Sequence, residues 1–163
     1  ILVIGKTLGH LHQSEFLREV VGIKDGPPPE VNLFNEKNNG LLVQTLISKK
    51  LINSVHDISS GGILITLSEM CISGNIGAKI KIPNDKIRPH EYLFGEDQSR
   101  YLIEVSEKNK NEVGKILEKN GIYYEMLGKS QKGSLDLDKE FNIKLDDLCK
   151  FNSLWFKNYF KEG

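Results

Sequence analysis

Cysteine is scarce in this sequence, which contains only Cys71 and Cys149 among its 163 residues. The two lie far apart, each in a stretch that reads as helix, and neither belongs to a CxxC pair or a Cys/His cluster. This spacing argues against both a disulfide framework and a zinc site. It predicts two reduced thiols in a cytosolic protein.

The sequence also lacks an excess of charge of either sign and any long apolar run. Its 22 Lys and Arg residues balance 22 Asp and Glu residues, and the sequence pI is about 7.1. Such a chain offers no broad electrostatic surface to nucleic acid or anionic lipid. No segment approaches the roughly 18 apolar residues of a membrane span, and no signal-peptide pattern is seen. We therefore expect a cytoplasmic protein with no nucleic-acid or membrane partner.

What is present is an ordinary globular composition, with 39% hydrophobic and 27% charged residues in a chain of single-domain length. We therefore predict one domain over residues 1–163. The chain opens at Ile1 with the apolar run ILVIG, which reads as a buried strand without a leader. This opening predicts that the domain is a fragment of a longer polypeptide.

Predicted strands and helices alternate along the chain, and a proline-rich connector covers residues 22–30. The strands are predicted at residues 1–5, 53–59, 78–82, 100–105, 122–127 and 134–138, and the helices at 15–21, 31–51, 63–71, 108–120 and 145–160. A loop is expected between the third strand and the motif LFGEDQS. The alternation predicts an α/β fold with a mixed sheet and flanking helices, in which helix 108–120 joins its neighbouring strands by a right-handed crossover.

The strongest local pattern is HDISSGG, residues 56–62, at a junction between a strand and a helix. Gly61 and Gly62 allow positive φ angles and a close approach of a ligand to the backbone amides. The positive end of the following helix favours an anion, so we predict a phosphate or substrate contact here. His56 and Ser59 are the side chains expected beside it.

Asp57 is the predicted metal ligand of this segment, because a carboxylate at the end of a strand can bind a hard cation such as Mg²⁺. The alternative is structural: Asp57, Ser59 or Ser60 caps the helix, and the two glycines form a tight turn. Neither GxGxxG nor GxxxxGK[ST], the common nucleotide fingerprints, occurs in the chain.

A second polar cluster, LFGEDQSR, covers residues 93–100 and precedes an apolar strand. Glu96 and Gln98 suit hydrogen bonds to a substrate, Arg100 suits a phosphate, and the adjacent carboxylates Glu96 and Asp97 also suit metal coordination. The alternative is a solvated turn with a local ion pair between Glu96 and Arg100.

A third pattern, LGHLHQSEF at residues 8–16, contains His10, His12, Ser14 and Glu15. The two histidines share a face only in an extended chain, and no third ligand is visible, so a metal site is not favoured. We predict that Ser14 caps a short helix instead. Three other notable side chains are predicted to be structural or surface residues: Cys71, His90 and Trp155.

Together, three segments resemble the C-terminal domain of the aminoimidazole ribonucleotide synthetase superfamily. SEFLREVVG (14–22) is similar to the family segment SEYL, HDISSGGILITLSEM (56–70) to HDxSxGGLxxxLxEM, and LFGEDQSR (93–100) to LFGExQxR. The order and spacing are family-like over nearly the whole chain. Two departures are Phe16, where tyrosine is usual, and His12 with Gln13, where small residues often precede SEYL.

Within the superfamily, the chain most resembles the last of four domains of an ATP-dependent ligase of de novo purine synthesis. The resemblance implies a reaction that uses ATP and Mg²⁺ to activate the amide oxygen of formylglycinamide ribonucleotide, after which ammonia from glutamine displaces the phosphate. It implies three partners: an upstream ATP-binding domain of the same chain, a glutaminase subunit and the ribonucleotide. ATP and Mg²⁺ would be bound mainly by the missing domain, so the isolated fragment is expected to be inactive.

The resemblance also implies roles for single residues. In the family's first half, the matching aspartate binds Mg²⁺ and the ExQ residues touch the substrate, which points to Asp57, Glu96 and Gln98 here. The second half of the family is similar to a degenerate nucleotide site, so a working site and a remnant both stay open. Two further alternatives are a domain of a related ATP-using enzyme of the superfamily and a purely structural or interaction domain.

Overall fold

A computed structural model of the protein describes residues 1–83, 86–138 and 140–160. The chain divides into two compact units. The first comprises Ile1–Thr66 and Ile82–Leu127, and the second comprises Leu67–Lys81 and the described residues from Gly128 onward. The interpretation of residues 1–163 as one domain, cut from the C-terminal end of a longer chain, stays a prediction.

Eight strands, five α-helices and one short π-helix are found in the described residues. The strands are β1 (Leu2–Ile4), β2 (Ser54–Asp57), β3 (Gly77–Ile80), β4 (Tyr101–Glu104), β5 (Tyr124–Met126), β6 (Gly128–Gln131), β7 (Ser134–Leu137) and β8 (Phe141–Lys144). The helices are α1 (Leu33–Ser48), α2 (Gly62–Gly74), α3 (Pro89–Phe94), α4 (Lys110–Lys119) and α5 (Leu145–Tyr159), and the π-helix covers Phe16–Val21. Every predicted strand and helix has a counterpart among them.

The first unit contains a four-stranded sheet in the order β2-β4-β1-β5, with all neighbours antiparallel. Because β4 and β5 both run antiparallel to β1, they are parallel to each other, and α4 connects them in a crossover. Apolar residues of β1, β4, α1 and α4, together with Leu51 just after α1, form one buried cluster: Leu2, Ile4, Leu42, Val43, Leu46, Leu51, Ile103, Val113 and Leu117.

The second unit contains another four-stranded sheet, in the order β6-β3-β7-β8. Its β3 and β7 are parallel and its other pairs are antiparallel. The predicted α/β class with a mixed sheet and flanking helices is therefore confirmed, although the strands form two sheets. The buried side chains of this unit include Ala78, Ile80, Leu135, Leu137 and Leu145.

Three elements were not expected from the sequence. The predicted loop before LFGEDQS contains α3, in which Pro89 occupies the first turn and the Glu91 carboxylate accepts from the Arg88 amide at 3.1 Å. Strand β6, with the sequence GKSQ, is polar and has no apolar alternation, whereas β8, with the sequence FNIK, does alternate but over only four residues.

The predicted helix at residues 15–21 is present but does not pack into the core. The segment is a π-helix without a buried residue, Val20 is 71% exposed, and the helix ends at Gly22 with a φ of 78°. Among the described residues, no helix is both long and apolar enough to cross a membrane.

Candidate functional site

The Glu96 side chain brings all three sequence motifs together. Its Oε1 atom accepts a hydrogen bond from the backbone N–H of Gly61 at 2.8 Å and another from that of Glu15 at 2.8 Å. Gly61 lies in HDISSGG and Glu15 in the SEF segment, so three segments that are distant in sequence meet at one carboxylate. A carboxylate that accepts two backbone amides forms charge-assisted bonds, which hold the loops in a defined geometry.

The Asp97 carboxylate accepts hydrogen bonds from a row of backbone N–H groups in the loop that follows β1. Its Oδ2 atom accepts from Leu8 N and Gly9 N at 2.9 Å each, and its Oδ1 atom accepts from His10 N at 3.3 Å. Successive amides that point into one concavity are a common anion-binding arrangement. Here the anion is the protein's own carboxylate, which was not predicted from the sequence.

Gly9 is required for this close approach. Its φ is +80°, and a Cβ atom built on it would lie 2.8 Å from Ile87 Cγ2 and 2.9 Å from Glu91 Cβ. Both the backbone conformation and the lack of space therefore favour glycine at this position.

Arg100 lies beneath the loop and is 2% exposed. Its guanidinium donates to Asp97 O at 3.0 Å, to Thr7 Oγ1 at 3.2 Å and to Gly95 O at 2.6 Å. Burial lowers the pKa of Arg100, and the neighbouring Asp97 carboxylate opposes that shift. This placement corrects the expectation of an accessible phosphate ligand, because the guanidinium is directed at protein oxygens.

The alternative interpretation of LFGEDQSR is also corrected. A solvated turn with a Glu96 to Arg100 ion pair was one expectation, but the ion-pair contact of Arg100 is with Asp97, at 3.8 Å from Nη1 to Oδ2. The Glu96 carboxylate instead accepts the two amides described above. The loop is therefore held by specific buried contacts.

The predicted positive φ angles of the glycine pair are confirmed, at 80° for Gly61 and 68° for Gly62. A Cβ atom on Gly62 would lie 2.7 Å from Gly95 O and 2.8 Å from Leu93 O. The absence of a side chain at Gly62 therefore allows the LFG segment, residues 93–95, to pack against it. The sequence analysis predicted that this glycine would make room for a ligand, whereas here it makes room for the protein backbone. Ser59 is exposed, and its carbonyl accepts from Gly62 N at 3.1 Å.

His56 and Asp57 lie at the end of β2, where Asp57 pairs with Tyr101 of β4. The Asp57 side chain is 68% exposed, and His56 Nδ1 lies 3.4 Å from Asp57 Oδ1 and 2.7 Å from its carbonyl oxygen. Burial, together with the carboxylates of Glu36 and Asp57, raises the pKa of Tyr101.

The residues around Asp57 do not form a complete Mg²⁺ site. Over residues 1–83, 86–138 and 140–160, no group of three or more His, Cys, Asp or Glu side chains is arranged to hold a metal. Because Mg²⁺ prefers octahedral coordination, Asp57 could contribute one carboxylate to an ion whose other ligands come from elsewhere.

Gln98 and Asp97 line a cavity of about 1160 Å³ in the first unit, and the other residues predicted to bind substrate, phosphate or metal do not. His10 and His12 lie on its wall, with their ring centroids 5.5 Å apart, and the His10 Nε2 atom lies 3.0 Å from Pro27 O. The triple-proline connector therefore forms part of this wall. The predicted cap is confirmed, since Ser14 Oγ accepts from Leu17 N at 3.3 Å.

Amide side chains dominate part of the cavity and were missed by the sequence reasoning. Asn32, Asn35 and Asn38 stand at intervals of three residues across the start of α1, and all three line the cavity. This spacing places them near one another on a helix and could have been used as a signal. Carboxamides both donate and accept hydrogen bonds, so this wall suits a ligand with hydroxyl, amide or phosphate groups.

The other singled-out residues have structural or surface positions. Cys71 is buried and Cys149 is half-buried, both as free thiols, and burial raises the pKa of Cys71 to about 11. His90 stacks on Phe16 at 6.0 Å, and Trp155 is 67% exposed.

Comparison with known proteins agrees with the sequence motifs. The family described as "AIR synthase related protein, C-terminal domain" matches residues 1–138. A relative from Pelagibacter ubique, named phosphoribosylformylglycinamidine synthase subunit PurL, is 50% identical over 98% of this chain and 22% of its own length. A protein of the same name from Rhodopseudomonas palustris strain BisB5 is 38% identical over the same shares. The chain thus spans about a fifth of the length of these curated relatives.

Solved structures give the same fold. Thermotoga maritima PurL complexed with FGAR superimposes with a TM-score of 0.76 at 19% identity, covering 91% of this chain and 27% of that one. A HypE–HypF complex superimposes with a TM-score of 0.57 at 14% identity, covering 88% of this chain and 51% of that one. The predicted resemblance is confirmed, and the chain belongs to the family of AIR synthase related protein C-terminal domains.

Proposed function

We propose that this chain is the C-terminal domain of a phosphoribosylformylglycinamidine synthase. The observation that carries the proposal is the meeting of the three motif segments at Glu96, in a chain whose curated relatives bear that name. The full enzyme would form a C–N bond in de novo purine biosynthesis in the cytoplasm. It would convert formylglycinamide ribonucleotide, ammonia from glutamine and ATP into the amidine.

Within that enzyme, we assign positioning roles to Glu96, Arg100, Gly61 and Gly62. The Gly61 amide and the Arg100 guanidinium, both predicted to bind phosphate, already bond to protein oxygens. An incoming phosphate needs a free and accessible donor, whereas the Gly61 amide already bonds to Glu96 and the Arg100 guanidinium is buried with at least three of its N–H groups bonded to protein oxygens. Their contribution would be to keep the LFGEDQSR loop in one conformation.

The ribonucleotide contact is proposed for Gln98 and the amide wall of the cavity. Gln98 is exposed and lines the cavity together with Asn35 and Asn38. These amides can donate to phosphate oxygens and accept from ribose hydroxyls. His56, Ser59 and Asp57 lie on the HDISSGG segment, outside the cavity, and would contact a ligand held by another part of the full chain.

ATP and Mg²⁺ would be held mainly by the upstream ATP-binding domain, because this chain has no complete metal site among its described residues. When bound, ATP would supply the phosphoryl group that activates the amide oxygen, and Mg²⁺ would neutralise the charge of its phosphates. Two solved structures of Thermotoga maritima PurL are complexes with ATP and with AMPPCP. A glutaminase subunit, the source of ammonia, completes the proposed assembly.

A second candidate is a structural domain with a remnant of a duplicated site. The specific observation in its favour is that Asp97 and Glu96 occupy backbone amides that could otherwise receive a phosphate. In this case the domain would support its neighbours without touching a ligand.

Complementation of a purine-requiring strain that lacks this synthetase distinguishes the candidates. The full-length gene would be supplied as wild type, Gln98→Ala, Asp57→Ala, or the control Gln44→Ala, which changes an exposed glutamine of α1 outside the cavity. The KM for the ribonucleotide is measured separately on the purified full-length proteins. If Gln98 binds substrate, Gln98→Ala should raise that KM about 2- to 10-fold, the effect of one lost hydrogen bond. Gln44→Ala should match the wild type.

Each outcome has a distinct meaning. Normal growth and an unchanged KM for Gln98→Ala and Asp57→Ala, at wild-type protein levels, would favour the structural candidate. Failure of the folded wild-type chain to restore growth would contradict the synthetase proposal itself.

A further inference from the structure

The second half of α5 exposes an unusual concentration of aromatic side chains. Three of the seven phenylalanines of the sequence, its single tryptophan and one of its five tyrosines fall within residues 151–160. All five are more than half exposed: Phe151 72%, Trp155 67%, Phe156 59%, Tyr159 66% and Phe160 65%. We call these five residues the aromatic face. Contiguous exposed apolar groups of this kind mark interaction surfaces.

The geometry of the aromatic face suits a docked partner. Phe151, Trp155 and Tyr159 stand at intervals of four residues, which places them in one row along the helix. The rings of Trp155 and Tyr159 stack at 5.6 Å, so the row is already ordered. Tryptophan and tyrosine are the residues that most often dominate the binding energy at protein interfaces.

The comparisons place α5 outside the matched family domain but inside longer chains. The match to the family ends at residue 138, before α5 begins at Leu145. The PurL relatives, in contrast, align over 98% of the chain and therefore include α5. Because this chain makes up only 22% of each of those relatives, α5 belongs to a region shared with much longer chains.

We propose that the aromatic face of α5 is an intramolecular docking surface for the part of the synthetase chain that precedes Ile1. The proposal rests on the proposed function, since it requires that longer chain. Burying two or three large aromatic side chains would anchor this domain to its neighbours, as aromatic anchors do at other interfaces. The face would then be inaccessible in the full enzyme.

Photocross-linking in the full-length chain tests the proposal. A benzophenone amino acid would replace the residue on the face (Trp155→p-benzoylphenylalanine) or, as control, a lysine of the same helix that is not in the row (Lys157→p-benzoylphenylalanine). Since only groups in contact react, we expect intramolecular cross-links from position 155 to residues that precede Ile1, at about tenfold the yield from position 157.

Three results would overturn the proposal: cross-links from position 155 to α5 of a second copy, cross-links to another protein, or no cross-link above that of position 157. Purine-dependent growth is scored on the same full-length proteins. Growth of the strain without the intramolecular cross-link would contradict the docking proposal but not the proposed synthetase function. If the cross-link forms but the unmodified full-length chain does not restore growth, the synthetase function would be contradicted but not the docking proposal.

A second measurement uses hydrogen exchange of the α5 amides in the full chain. The double substitution Phe151→Ser with Trp155→Ser should raise exchange at least about tenfold, whereas Lys150→Ser with Lys157→Ser should change it less than about twofold. Equal effects of the two pairs would show that the face contributes nothing beyond helix formation, and would also overturn the proposal.

Discussion

The two compact units differ in what holds their segments together. In the first, the carboxylates of Glu96 and Asp97 accept hydrogen bonds from five backbone amides and so tie distant loops to one point. In the second, β-strands approach so closely that Gly77 and Gly128 have no room for a Cβ atom. Close glycine packing also occurs in the first unit, at Gly9 and Gly62, but there buried carboxylates add a second kind of support, so different substitutions should have the largest effect in each unit.

The largest effect is expected from removing the Asp97 carboxylate. Asp97→Ala leaves three amides without their acceptor and leaves the buried Arg100 guanidinium without its charged neighbour. Unpaired buried groups of this kind cost about 3 to 5 kcal/mol of unfolding free energy. Urea unfolding measures the loss. In Asp25→Ala, the control, one exposed bond to Gly26 N is removed and the loss should stay below about 1 kcal/mol.

Equal losses in Asp97→Ala and Asp25→Ala would contradict the view that buried charge stabilises the first unit. Asp97→Asn provides a finer comparison. It keeps one acceptor oxygen but loses the charge, so its stability should fall between those of the wild type and Asp97→Ala.

Steric fit in the second unit is tested by Gly128→Ala. This substitution should lower the unfolding free energy by about 2 kcal/mol, because β3 and β6 would have to move apart. A Cβ atom there would lie 2.1 Å from Lys79 O, which is backbone of the paired strand β3. Gly133→Ala is the matched control: its φ is +81° but nothing lies within 4 Å, so only the backbone strain of about 1 kcal/mol applies. A Gly128→Ala protein as stable as Gly133→Ala would show that the strands can separate without penalty.

A smaller change tests only the charge of Glu96, where the three motif segments meet. Glu96→Gln keeps an oxygen that can accept from the Gly61 and Glu15 amides, and it removes only the charge assistance, for a loss of about 1 kcal/mol. Glu112→Gln, an exposed acid at the start of α4, should change the unfolding free energy by only a few tenths of a kcal/mol. If the two variants are equally stable, Glu96 acts as a neutral acceptor would.

The smallest effect near neutral pH concerns Cys71. Burial raises its pKa to about 11 from an ordinary 9.0, so the protonated thiol is favoured in the folded state. This contribution to stability is complete below pH 9 and is lost as the pH rises toward 11. Unfolding measured between pH 8 and 11 should show that loss in the wild type and a smaller one in Cys71→Ala. Alkylation at pH 8 should modify the half-buried Cys149 before Cys71.

Local sequence patterns predicted the elements well wherever they were apolar and periodic. The run at β1, the alternation in β7 and the amphipathic α4 all appear at the expected places. Polar elements were harder to predict: β6 has the sequence GKSQ and is a strand because its backbone pairs with β3.

For the candidate site, residue types were predicted better than roles. The sequence analysis directed Glu96, Gly61 and Arg100 toward a ligand, whereas in the structure each bonds to the chain itself. No sequence signal indicated that Asp97 would fill the amides of Leu8 to His10, because those residues lie nearly 90 positions away. The binding roles of Gln98 and Asp57 stay predictions.

The sequence by itself determined the alternation of strands and helices, the glycine turn before α2 and the membership of the family, because each depends on local residue types and their order. Only the tertiary structure decided which polar groups face each other: that Glu96 meets Gly61 and Glu15, that Asp97 meets the loop after β1, and that the strands divide into two sheets. The physical reason is that a buried carboxylate binds whichever donors the folded chain brings within about 3 Å, and that proximity is a property of the whole packing.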